Sequence, residues 1–230
     1  YVDIIVEKGT QLKIGELRFE AIHTPGHTPE HIMWICYDES RSPGTPWFVF
    51  TGDSLFVGSV GRPDLLGSEE MKTLAPQCYH TIFEVFSQLP DFVEIFPAHG
   101  EGSFCGKSLQ SRSSSTIGYE RLFNPYLKIK PQQNWINDLQ KGLPPIPPYF
   151  PRLKKVNIEG PPLLSTLKTK IWNCNEGMDL KELFLIDVRH PEPFAASHIQ
   201  GSLNIPFSQS FCQWAGWLLP SEIPLGLVIE

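Results

Sequence analysis

The sequence predicts an α/β protein in two domains, and three observations carry that prediction. Short apolar stretches separated by turn residues fill residues 1–60. A helical period then replaces them and returns to a strand. Finally, a proline-rich stretch separates this block from a second α/β segment.

Taken in order, Val2–Val6, Gln11–Ile14, Leu17–Ile22, Ile32–Tyr37 and Trp47–Thr51 are the expected strands, with Gly9, Gly15 and Pro43-Gly44 between them. Their even spacing suggests stacked antiparallel sheets. Met71, Leu74, Cys78, Ile82, Val85, Phe86 and Leu89 then recur at helical spacing, from a start at Ser68-Glu69-Glu70 to a stop at Pro90. Pro76 is expected to split this region into two helices. A strand at Val93–Phe96 follows. Gly100–Ser115 reads as loop, and Thr116–Asn124 and Gln132–Lys141 read as helices. Pro144–Pro151 reads as a stiff connector, so the first domain is placed at 1–162, with its connector at about 143–162. Residues 163–230 restart as α/β, with strands at Leu185–Val188 and Ser202–Ile205 and a helix near Glu192–Ser197.

Composition narrows the function classes. The chain is 41% hydrophobic and 19% charged, with net charge −6 and no basic run, so nucleic acid and anionic membranes find no footprint. No apolar run reaches the roughly 20 residues of a membrane span. Five cysteines without a Cys-x-x-Cys pair point to free thiols in a reducing, cytoplasmic setting. The chain opens on Tyr1 within an expected strand and closes on the apolar Leu225–Glu230, read as a buried strand, so a fragment of a longer protein is expected. Unpaired edges at Val2–Val6 and Leu225–Glu230 would favour a homo-oligomer.

The chemistry gathers at three strand ends. His23-Thr-Pro-Gly-His27 follows Leu17–Ile22, Thr51-Gly-Asp53 follows Trp47–Phe50, and Pro97-Ala-His99-Gly100 follows Val93–Phe96. Strands that stop on His27, Asp53 and His99 at one rim can hold a metal. The set is compatible with part of a two-His, one-carboxylate oxygen-activating site or with part of a zinc hydrolase site.

These motifs resemble the later motifs of the metallo-β-lactamase fold. The string Phe50-Thr-Gly-Asp-Ser-Leu-Phe-Val-Gly-Ser-Val-Gly-Arg-Pro-Asp64 and the string Ser114-Ser-Thr-Ile-Gly-Tyr-Glu-Arg-Leu-Phe-Asn-Pro125 are similar to the persulfide dioxygenase branch of that superfamily. The resemblance covers roughly residues 1–160 and implies a partial αββα sandwich. It implies oxidation of a low-molecular-weight thiol persulfide, of glutathione type, by O2 to sulfite and thiol, with Fe(II) as cofactor. It makes His27 and Asp53 iron ligands and sets His99 beside the iron. It gives Arg62 and Arg121 contacts to the thiol's carboxylates. Cys105, on a Gly-flanked loop after His99, is a candidate to accept or pass sulfur, with a plain loop role equally open. His31 reads as a helix-start or packing histidine, and Cys36 and Cys78 as core.

One departure matters. The superfamily's upstream His-x-His-x-Asp-His motif is not found in these 230 residues, so this chain alone is expected to bind iron weakly and to be inactive. Residues 185–206, with Asp187-Val-Arg189 and His198-Ile-Gln-Gly201, resemble the first part of a rhodanese-like α/β domain. Cys212 is not its nucleophile and is expected to pack among Trp214, Trp217 and Leu218. The competing readings are a glyoxalase II-like zinc hydrolase of glutathione thioesters and a non-catalytic product.

Overall fold

The computed structural model describes residues 3–100, 103, 105–106, 110–128, 130–166, 180, 183–220 and 223–229. It divides into two compact units, residues 1–146 and 147–230.

The first unit is built on one six-stranded sheet, ordered β1-β2-β3-β4-β7-β8. Its strands are β1 (Gln11–Ile14), β2 (Leu17–His23), β3 (Ile32–Asp38), β4 (Pro46–Gly52), β7 (Glu94–Pro97) and β8 (Ser115–Thr116). A separate ribbon pairs β5 (Leu55–Phe56) with β6 (Ser59–Val60). The strands β1 to β4 run antiparallel, whereas β4 and β7 are parallel. Consequently β2, β4 and β7 all end at the same rim. The expected stack of antiparallel sheets is thus corrected to one mixed sheet, because β7 returns beside β4 after a helical crossover. Residues 3–6 form no strand, and Val2 lies outside the described residues.

Alternation divides the sheet into two faces. Met33, Ile35, Val49 and Ile95 turn inward onto α1 (Ser68–His80) and α3 (Gln132–Gln140), together with Cys78, Ile82, Phe86 and Trp135. Trp135 stacks edge-on against Tyr79, and its indole N–H donates to the Tyr126 carbonyl at 2.7 Å, so its polar edge is satisfied inside the core. The opposite face carries an aromatic ladder of Phe19, Phe48, Phe50 and Phe96. Among the described residues no second sheet covers it.

Pro76 does not split its helix. The segment runs unbroken through α1 into one wide turn, Thr81–Val85, and a tight one, Phe86–Gln88. Leu74, Ala75 and Cys78 are buried on both sides of the proline, and that packing outweighs the lost backbone bond. The proline-rich stretch is likewise not extended throughout. α4 (Phe150–Glu159) begins on Phe150-Pro151, where a missing N–H costs nothing because first-turn donors have no partner.

In the second unit, β9 (Phe184–Asp187) lies between β10 (Leu203–Asn204) and β11 (Leu225–Val228), all parallel. The helices here are α4, α5 (Pro191–Ala196) and α6 (Phe211–Leu218), and α2 (Ile117–Phe123) belongs to the first unit. Among the described strands β11 lies at the sheet edge with Leu225 and Leu227 exposed, not as the buried strand expected, and Glu230 lies outside the described residues. Cys212 is exposed beside a half-exposed Trp214, so the expected packing around it does not form. No described helix is long and apolar enough to cross a membrane.

Asp187 fixes the end of β9. It is fully buried, accepts the Arg189 guanidinium in a fork (Nη2–Oδ2 2.6 Å) and also accepts the Arg189 backbone N–H at 3.0 Å. Arg189 therefore holds the Asp187 carboxyl below the usual carboxylate range. A depressed folded pKa contributes stability above the unfolded value, and that contribution is lost as pH falls through the folded value. Asp187→Asn is expected to lower unfolding stability by about 2 kcal/mol at neutral pH. Chemical denaturation of both proteins at descending pH should show the difference shrinking below about pH 4.

Candidate metal centre

The turn that carries His27 is clamped before the histidine is placed. Gly26 has φ +147, and a Cβ there would sit 2.5 Å from the Cys78 Cα of α1, so only glycine allows the turn to lie on the helix. Thr81 at the end of α1 donates its hydroxyl to the Pro25 carbonyl at 2.7 Å. Cys78 is buried, and burial pushes its thiol up to about 12, so it is a packing residue and a weak donor to the Gly61 carbonyl.

His27 then points Nδ1 at the Arg62 carbonyl, 3.0 Å away. A carbonyl only accepts, so Nδ1 carries the proton and Nε2 keeps its lone pair. Burial holds His27 below its ordinary pKa, outweighing the opposing pull of Asp53. The ring is therefore neutral, as a ligand must be.

Asp53 is placed by a different histidine. Gly52 at φ +54 turns the chain out of β4, and the Asp53 backbone N–H donates to His31 Nε2 at 2.9 Å. Nε2 must accept, so Nδ1 of His31 donates to Thr24 Oγ1 at 2.8 Å. His31 thus stands just before β3 as the residue that orients the aspartate turn, and not at a helix start. Its pKa is lowered chiefly by burial, which preserves the accepting nitrogen. Residue identity could not reveal this, because the contact joins two strand ends.

Asp53 Oδ1 is buried and has no hydrogen-bond partner among the described residues. His99 Nε2 lies 3.1 Å from it, an ion-pair distance without the alignment of a hydrogen bond. A buried carboxylate oxygen without a donor is what a cation would satisfy. His27, Asp53 and Cys105 each offer one ligand atom, all within 4.8 Å of one another, so this nitrogen, oxygen and sulfur set suits a divalent ion. His99 is exposed, lies against the Phe56 ring and stands outside that group.

The two arginines are placed differently. Arg62 is 1% exposed and closes its fork on Asp64, with Nε–Oδ1 at 2.7 Å and Nη2–Oδ2 at 2.6 Å. Arg121 pairs with Asp91 and donates to the carbonyls of Phe86, Ser87 and Leu89 where the long helical segment ends. As placed, both guanidinium groups are engaged within the chain. Cys105 is half-buried, and burial is the main cause that raises its thiol above the ordinary value.

His31→Ala is expected to weaken zinc binding about 10–100-fold, because it releases the Asp53 turn without removing any ligand. Titration against a chromophoric chelator measures this, with Thr24→Ala as the milder variant.

No family model matches the chain. Human mitochondrial persulfide dioxygenase ETHE1 is 30% identical over 127 residues, which are 55% of this chain and 42% of the human protein. The hydroxyacylglutathione hydrolase of Dictyostelium discoideum is 32% identical over 149 residues, covering 54% of this chain and 53% of that protein. The chain spans about half the length of the curated relatives it matches. A solved metallo-β-lactamase from Staphylococcus aureus matches with TM-score 0.79 and 32% identity, over 99% of this chain and 64% of that one. ETHE1 from Myxococcus xanthus matches with TM-score 0.51 and 25% identity, over 67% of this chain and 59% of that one. The mixed sheet and its helical layer therefore have a metallo-β-lactamase fold.

Proposed function

We propose that the chain carries part of a persulfide dioxygenase-type centre acting on a low-molecular-weight thiol persulfide. The observation that carries this reading is Asp53 Oδ1, buried within reach of His27 and without a hydrogen bond among the described residues, in a chain 30% identical over 55% of its length to a persulfide dioxygenase. The overall change balances with one persulfide, one O2 and one water giving one thiol, one sulfite dianion and two protons. The sulfur–sulfur bond breaks, the outer sulfur is oxidised and O2 is reduced.

Within the site, His27 Nε2 and Asp53 Oδ1 would hold the metal. Ferrous ion, when bound, supplies O2 activation, and zinc would instead supply a hydroxide nucleophile. The residues around it fix geometry: the Arg62 carbonyl sets the His27 tautomer, and His31 sets the Asp53 turn. His99, exposed beside Asp53 at 3.1 Å, would border the metal without holding it. Arg62 and Arg121, paired here with Asp64 and Asp91, are proposed as contacts to the thiol's carboxylates on the resemblance alone. The reading rests on oxidation, and a part for Cys105 in accepting or passing sulfur stays a proposal from its place on the loop after His99.

For the second unit we propose a rhodanese-like module, on the resemblance of residues 185–206 and on its parallel β10-β9-β11 order. The second reading of the metal centre, a zinc thioester hydrolase, is favoured by the likeness to hydroxyacylglutathione hydrolase.

Without the upstream motif the sequence predicts an inactive chain, but the buried Asp53 oxygen within reach of His27 reverses that expectation: loaded with ferrous ion without oxygen, the chain is expected to consume O2 and form sulfite from glutathione persulfide, with both lost in Asp53→Ala. Thioester hydrolysis by the zinc-loaded chain without O2 uptake would replace this reading with the hydrolase. Neither activity would overturn a catalytic role for these 230 residues alone.

A further inference from the structure

Glu120 is 1% exposed in α2, and its carboxylate is met by three donors. Gly58 N–H donates to Oε2 at 2.8 Å, the Asn124 side-chain amide donates to the same oxygen at 2.9 Å, and the Ser115 hydroxyl donates to Oε1 at 2.6 Å. The Asn124 amide also donates to the Ser59 carbonyl at 3.1 Å. Gly58 and Ser59 lie at the tip of one hairpin, because Phe56 pairs with Ser59 and leaves Val57-Gly58 as a two-residue turn. Helix α2 therefore grips that tip. The helix is itself fixed to the chain entering β7, where the Ile117 and Gly118 N–H groups donate to the Val93 and Asp91 carbonyls, each at 2.9 Å.

The other end of the hairpin is the rim. Asp53 comes just before β5 and Gly61-Arg62 just after β6, roughly 13 Å from the tip at about 3.3 Å per strand residue. Leu55 pairs with Val60, the Thr51 hydroxyl donates to the Leu55 carbonyl at 2.6 Å, and Gly61 N–H donates to the Ser54 carbonyl at 3.3 Å. Leu55, Phe56 and Val60 are fully buried, so tip and base are tied into one piece. At the base there is no slack. A Cβ on Gly61 would meet the Asp53 carbonyl at 1.8 Å and the His27 Cβ at 3.2 Å. A tilt of the hairpin would therefore move the Arg62 carbonyl that holds His27 Nδ1 and disturb the Asp53 turn together.

A buried carboxylate is a costly filler, and apolar side chains of similar volume would hold the layers together as well or better. Three converging donors add one fixed direction. We propose that Glu120 is a positioning residue of the metal centre: it locks the hairpin tip and so sets the Arg62 carbonyl and the Asp53 turn at the rim. The proposal rests on reading His27 and Asp53 as ligands.

Cobalt(II) is the probe, read by chelator competition for affinity and by its visible d–d bands for geometry. Glu120→Ala is expected to bind cobalt at least about tenfold more weakly and to shift those bands at saturating metal, while circular dichroism shows it folded. Glu120→Gln should stay within about twofold of the unchanged chain, because its amide oxygen can accept from Gly58 and Asn124 while its NH2 donates to Ser115 Oγ. Leu139→Ala opens a core cavity in α3, which makes none of these hydrogen bonds, and should lower stability while leaving both readouts unchanged. A folded Glu120→Ala with unchanged affinity and bands overturns the proposal. So does a loss in Leu139→Ala as large as in Glu120→Ala, which would make the effect one of general stability. Glu120→Gln as weak as Glu120→Ala overturns it too, because charge and not hydrogen bonding would then be the cause. Where Glu120→Ala does not fold, Ser115→Ala carries the test, with a loss of about threefold expected and no loss overturning it. An unchanged chain that binds no cobalt overturns the reading of His27 and Asp53 as ligands, and this proposal with it.

Discussion

The peptide of Arg62 is held from both directions, its N–H by the Cys105 carbonyl and its carbonyl by the His27 imidazole. The rest of the first unit can be understood as what keeps that peptide in place. Below it the Arg62 side chain is buried and forked onto Asp64, which fixes the backbone's direction. On one side Gly61 meets the Asp53 turn at a distance no side chain could share. On another, Cys78 in α1 touches both Gly26 and the Gly61 carbonyl, so the helical layer is in register with the rim.

The sheet supplies the complementary constraint. Because β2, β4 and β7 end at one rim, residues just beyond them approach without any long loop having to be ordered for that purpose. The buried network of Glu120, Asn124 and Ser115 then ties α2 to the β5–β6 ribbon, with Gly58 N–H donating to Glu120 at 2.8 Å. Among the described residues the carboxylate at Asp53, by contrast, keeps one oxygen without a donor. That contrast sets Asp53 apart as the carboxylate proposed to meet a cation.

Local pattern made much of this legible. Alternation in Leu17–Ile22, Ile32–Tyr37 and Trp47–Thr51 corresponds to β2, β3 and β4 within a residue or two, and turn glycines marked where those strands stop. Pairings between distant segments were not legible. Nothing local in Arg62 or Cys105 says that they share a backbone bond, and nothing in His31 says that it accepts the Asp53 N–H. Arg121 carries a family motif, yet its guanidinium caps the carbonyls at the end of the long helical segment. In sequence Pro76 and Pro151 look like breaks because a proline's local cost is visible there, while the packing or end position that offsets it is not.

The central claim is that this rim is a metal centre, and metal content tests it most directly. The 230-residue chain would be purified without oxygen, supplied with ferrous or zinc ion, cleared of loose metal by gel filtration and assayed by elemental analysis. The account predicts about one ion per chain, falling towards zero in His27→Ala and Asp53→Ala. A chain that retains no metal, or retains as much after both substitutions, would contradict it.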